Sequence, residues 1–117
     1  MKRKRRQLAL ALTALVSVAL LVLTLTPIEG PPGHPHADKL YHFLGFAVLA
    51  LPCAALFRRA LLWVVLVAVA QAGLIELVQP HIGRDAEWFD FWADLAGIAV
   101  GAGLGLWLPR QLPASNA

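Results

Sequence analysis

The side chains of this chain best suited to chemistry come in short, regularly spaced sets. Asp38 and His42 are four residues apart, Glu76 and Gln79 three apart, and Asp90 and Asp94 four apart, with Lys39 beside the first pair and Arg84 ahead of the last. On a helix, spacings of three and four put each set on one face. A histidine among carboxylates can move protons, with His42 as general base and Glu76 or Asp94 as a carboxylic acid. The same residues could instead bind. Arg84 and Lys39 suit phosphate, while Gln79, His42 and the acids suit an amine or sugar hydroxyls. His42, Glu76 and an aspartate could also hold a metal. The chain lacks H-E-x-x-H, so neither a metal nor a cofactor is expected. His34 and His36 form an H-x-H pair in a proline-rich stretch, too few ligands for a metal site.

Charge counting sharpens the choice. Asp38, Glu76, Asp90 and Asp94 face Lys39, Arg84 and, if protonated next to Asp38, His42. One carboxylate remains over, to be met by a proton, a cation or a cationic ligand group. Clustered acids of this kind mark functional sites, although ion pairs that merely pin helix ends give the same pattern.

The elements that must position these groups are apolar. Hydrophobic residues make up 59% of the 117 and charged residues 15%, more apolar than a chain this short could bury in its own core. Lipid is the economical solvent. Residues 7–26 carry no charge, about the 20 needed to cross a bilayer. With no A-x-A-like cleavage site after them, they read as an anchor and not a cleaved signal peptide. Residues 27–37, with four prolines and two glycines, read as an extended connector. Asp38 is the expected N-cap of a second span, kinked at Pro52. The short turn Phe57-Arg58-Arg59-Ala60 should make the second and third spans antiparallel neighbours. The third runs from Ala60 to Val78, stopped by Pro80, and the fourth from about Asp90 to Leu108, closed by Pro109 and Arg110.

Basic and acidic residues segregate between the two ends of these spans. Lys2 to Arg6, Arg58, Arg59 and Arg110 fall on one side, and all seven acids on the other. The positive side should be the cytoplasm. Five of the ten basic residues sit in the leading block, so the net charge of +3 is a topology signal and no nucleic-acid partner is expected. Trp88 and Trp92 suit one aromatic belt and Trp107 the other. Gly97, Gly101 and Gly105 continue the Asp90–Asp94 face as a packing stripe, for another helix of the chain or for a homo-oligomer through the fourth helix. The single Cys53 excludes an intrachain disulfide and reads as packing. The expected architecture is therefore all-α and polytopic, with four transmembrane helices and both termini cytoplasmic. Residues 1–6 form a basic N-terminus, 7–109 the membrane domain and 110–117 a cytoplasmic tail.

Asp38-Lys39-x-x-His42-Phe43, Glu76-x-x-Gln79 and Arg84-x5-Asp90-x3-Asp94-x-x-Gly97, in this order and on one membrane face, resemble the VanZ-like family of small bacterial membrane proteins. The resemblance runs from the proline-rich stretch through the fourth span. One departure is Asp94, where the family often has Asn. The resemblance implies a place in the bacterial inner membrane and a role at the cell envelope, since the founding member is linked to teicoplanin resistance. It implies no settled activity.

Three functions follow as expectations. The first is binding of an envelope component, a lipid headgroup or lipid-linked glycan, by Asp38, Lys39, His42, Glu76, Gln79, Arg84, Asp90 and Asp94, without catalysis. The second is an integral-membrane enzyme on such a lipid, using His42, Glu76 and Asp94. The third is an oligomeric ion-coupled transporter, disfavoured because the charges keep to one leaflet.

Overall fold

A computed structural model describes residues 2–26, 37–83 and 87–111. They form four long helices: α1 (Lys2–Leu25), α2 (Ala37–Leu56), α3 (Leu61–Val78) and α4 (Trp88–Gln111). All four are long and apolar enough to cross a membrane. Polar side chains share the chain's interior with an apolar core, and large apolar side chains cover the exterior. Gln79, Asp90 and Asp94 are among its largest fully buried side chains, while Leu15, Trp63, Val67 and Phe89 lie mostly exposed. Such an exterior suits lipid.

The helices pass back and forth, so α1 parallels α3 and α2 parallels α4. At one end the Arg6 guanidinium stacks 5.4 Å from the Phe57 ring. There too Arg58 donates from Nη2 to the Leu106 carbonyl at 2.9 Å, a cation at the C-terminal end of α4 where the helix dipole favours it. At the opposite end lie the first turns of α2 and α4, the last turn of α3, and every acid among the described residues. The segregation of charge expected from the sequence is thus a property of the fold.

Packing centres on α2 and α4, the most extensive pairing in the molecule. Gly97, Gly101 and Gly105 turn their Cα atoms onto the α2 backbone at Phe43, Ala47 and Leu51. A Cβ at Gly105 would lie 2.6 Å from the Leu51 carbonyl oxygen, so only glycine permits the approach. The spacing of four on both helices is the i±4 ridge of one meeting that of the other, with carbonyl oxygens pressed against Cα–H groups. The glycine stripe is therefore filled from within the chain. The short turn at Arg58–Ala60 does bring α2 and α3 together, yet α4, not α3, is the main partner of α2.

Two boundaries differ from the sequence reading. α2 begins at Ala37 and places Asp38 in its first turn rather than at the cap. α4 runs through Pro109 to Gln111, because a proline this near a C-terminus removes only the bond to the Gly105 carbonyl. Pro52 likewise lies inside a continuous α2. After Val78 the chain tightens into a 3-10 turn, Gln79–Ile82, closed by Gly83 at φ 79°, a left-handed conformation natural to glycine.

α1 is the most peripheral helix, with 17% of its apolar window buried. Two amide rungs hold it to α3. Gln71 accepts from the Ser17 hydroxyl at 2.5 Å and donates to the Ser17 carbonyl at 3.1 Å. One end further on, Gln79 Nε2 donates to the Thr24 carbonyl at 3.1 Å. Thr13 also reaches α2, 3.4 Å from both the Leu49 carbonyl and the buried Cys53 sulfur.

Candidate functional site

The close α2–α4 approach dictates the geometry of the polar end. One turn beyond the contact of Gly97 with Phe43, the seam reaches His42 and Asp94, which are both almost wholly buried. His42 Nδ1 lies 2.8 Å from Asp94 Oδ1. On the other edge of the ring, Nε2 lies 3.8 Å from Asp90 Oδ2. His42 therefore sits between the two aspartates of α4. Its sequence neighbour Asp38 is near, offering an oxygen within 4.8 Å of ligand atoms of His42 and Asp90.

Glu76 closes the cluster from α3. Its Oε2 accepts the Glu87 backbone N–H at 3.0 Å, just before α4 begins. A carboxylate there meets the positive end of the α4 dipole. Glu76, His42 and Asp94 each present a ligand atom within 4.8 Å of the others. Above them, Lys39 pairs with Glu87 at 2.5 Å and approaches Asp90 at 3.7 Å. Lys39 is partly exposed and Glu87 half exposed, so this pair forms a charged rim over a buried floor. Trp88 and Trp92 are exposed beside it.

The floor is incompletely matched. Glu76 Oε1, Asp90 Oδ1 and Asp94 Oδ2 are buried without a hydrogen-bond donor, and each such oxygen costs free energy unless something fills it. The helix N-termini of α2 and α4 offset part of the charge at Asp38 and Asp90, which lie in first turns. Asp94 lies about 6 Å deeper along α4, where the dipole has faded. Its contact is His42, across the seam.

Of the residues expected to form a site, Asp38, Lys39, His42, Glu76, Asp90 and Asp94 converge. Gln79 is buried in the turn after α3, about one helical turn past Glu76, where its amide ties that turn to α1. Arg84, His34 and His36 lie outside the described residues. Glu87 joins them at the rim through Lys39, a pairing that helical spacing does not reveal because the two are 48 residues apart.

The chain matches no protein-family model, no curated protein and no solved structure.

Proposed function

We propose that this is a VanZ-like protein of a bacterial inner membrane, both termini in the cytoplasm, whose polar end binds the headgroup of an envelope lipid or lipid-linked glycan. The observation that carries the reading is the mixed charge at that end. Asp38, Lys39 and Glu87 reach the surface above buried acids, between exposed tryptophans of the kind that sit at headgroup depth. Lys39 would meet phosphate, joined by Arg84 from the segment just before α4. The rim acids would take an amine or sugar hydroxyls.

Native mass spectrometry of detergent-solubilised protein tests this. After chelation of divalent ions, wild-type protein should retain a phospholipid or lipid-linked glycan, and Arg84→Ala and Glu76→Gln should lose it while unfolding within a few degrees of wild type. Unchanged retention, or wholesale unfolding of both variants, would reduce the cluster to a structural staple. Orientation is tested separately in a Cys53→Ala background. A cysteine replacing His81 should react with an impermeant thiol reagent from the outside, and one replacing Ser115 should be protected. If a lipid-linked glycan is the ligand, expressing the chain should change teicoplanin susceptibility of a sensitive host.

The short His42–Asp94 contact favours one second reading, an enzyme acting on the same lipid. The aspartate would hold the imidazole as general base, with Glu76 as acid.

A further inference from the structure

We propose that His42, Glu76 and Asp94 hold a divalent transition-metal ion, with Zn2+ the best match. The three side chains come from three different helices, α2, α3 and α4, and are buried to 98% or so on average. One ligand atom from each falls within 4.8 Å of the others. Around a tetrahedral ion with bonds of about 2.0–2.1 Å, neighbouring ligand atoms stand roughly 3.3 Å apart. The His42 Nδ1 and Asp94 Oδ1 are already at 2.8 Å, so rotamer-scale adjustment closes the set.

An independent observation points to a ligand here. Glu76 and Asp94 each keep one fully buried oxygen with no donor. Neither makes an ion pair with a lysine or arginine among the described residues, whereas Asp90 has Lys39 at 3.7 Å. A dication neutralises two carboxylates and leaves imidazole uncharged, which is the form that binds metal. With Nδ1 on the ion, Nε2 carries the proton and faces Asp90 Oδ2 at 3.8 Å. Asp90 then orients the ring, the arrangement that fixes metal-bound histidines in general. One nitrogen and two oxygens select a first-row ion such as Zn2+ or Mn2+ over Mg2+ or Ca2+, which prefer oxygen alone. Three protein ligands also leave a coordination position free, so a headgroup oxygen and the ion are not exclusive.

This inference does not rest on the lipid reading, and its test uses delipidated full-length protein with any affinity tag removed. After chelation and dialysis against Zn2+, wild-type protein should bind about one ion per chain and unfold about 5 °C or more higher than the chelated form. Mg2+ and Ca2+ should do neither. His42→Ala and Glu76→Gln should lose the bound ion, whereas His34→Ala/His36→Ala should keep it. No binding by wild type overturns the proposal even if a cluster variant fails to fold. Loss of the ion in the His34/His36 variant moves it to the connector, and loss in Asp38→Asn with retention in Glu76→Gln moves it to the outer set of Asp38, His42 and Asp90. Either result overturns the assignment, and native mass spectrometry of lipid retention is scored independently of all of them.

Discussion

Two parallel helix pairs hold this molecule together by different means. α2 and α4 meet along a glycine stripe, where Gly97 and Gly101 face only α2 backbone and Gly105 faces the Leu51 carbonyl and the Ala54 methyl. α1 is joined to α3 and the turn that follows it by the rungs Ser17–Gln71 and Thr24–Gln79. In lipid, where apolar surfaces gain nothing by hiding from water, close packing and polar contacts are the two available sources of association. The first fixes a register to within fractions of an ångström, and the second tolerates substitution. The buried acids and His42 lie on the fixed seam. A site whose geometry must be held belongs on rigidly packed elements.

The sharpest way to break this contrast is at Gly101. A leucine there must displace the Ala47 backbone, and should lower stability by about 3 kcal/mol or more, read as thermal unfolding in detergent. A fully folded Gly101→Leu protein would mean that the seam is much looser than drawn.

In chelated, metal-free protein, Asp94 probes the same seam at its polar end. Asp94→Leu leaves His42 Nδ1 without an acceptor and should cost about 1–3 kcal/mol. Asp94→Asn keeps a carbonyl oxygen for the ring and should stay within about 1 kcal/mol of wild type. If the two variants unfold alike, the hydrogen bond to His42 contributes little to the seam.

On the other pair, Gln71→Leu removes one rung and should cost about 0.6 kcal/mol, reaching at most about 1.7. A loss as large as that at Gly101 would erase the distinction between the pairs. The smallest effect belongs to Gly103, which has nothing within 4 Å of an added Cβ. Gly103→Leu should fall within about 0.5 kcal/mol of wild type, and a larger change would show that this face of α4 has a partner.

Reading along the chain captured the features that repeat at helical intervals. The four spans follow from long uncharged runs, and the Asp90–Asp94–Gly97–Gly101–Gly105 face follows from steps of three and four. Contacts between helices were less legible. Spacing alone joined His42 to Asp38, and the absence of Cβ atoms on α4 also brings Asp94 to 2.8 Å from the ring. Gln71 was not singled out, although a lone amide in the middle of an apolar span is itself a signal, because it must find a partner within the membrane. Ser17 and Thr24 carried the complementary signal on α1.

The separation of bases from acids makes the molecule an electrical dipole along the helices, and so across the membrane in the proposed placement. A field negative on the basic side pulls the two ends in opposite directions, both favouring this orientation, at about 2.3 kcal/mol for each elementary charge moved through 100 mV. In the proposed orientation an energised cell membrane therefore helps to drive the acidic loops outward during insertion. Collapsing the potential removes that force, and the acid-bearing hairpin of α3 and α4 has the most to lose.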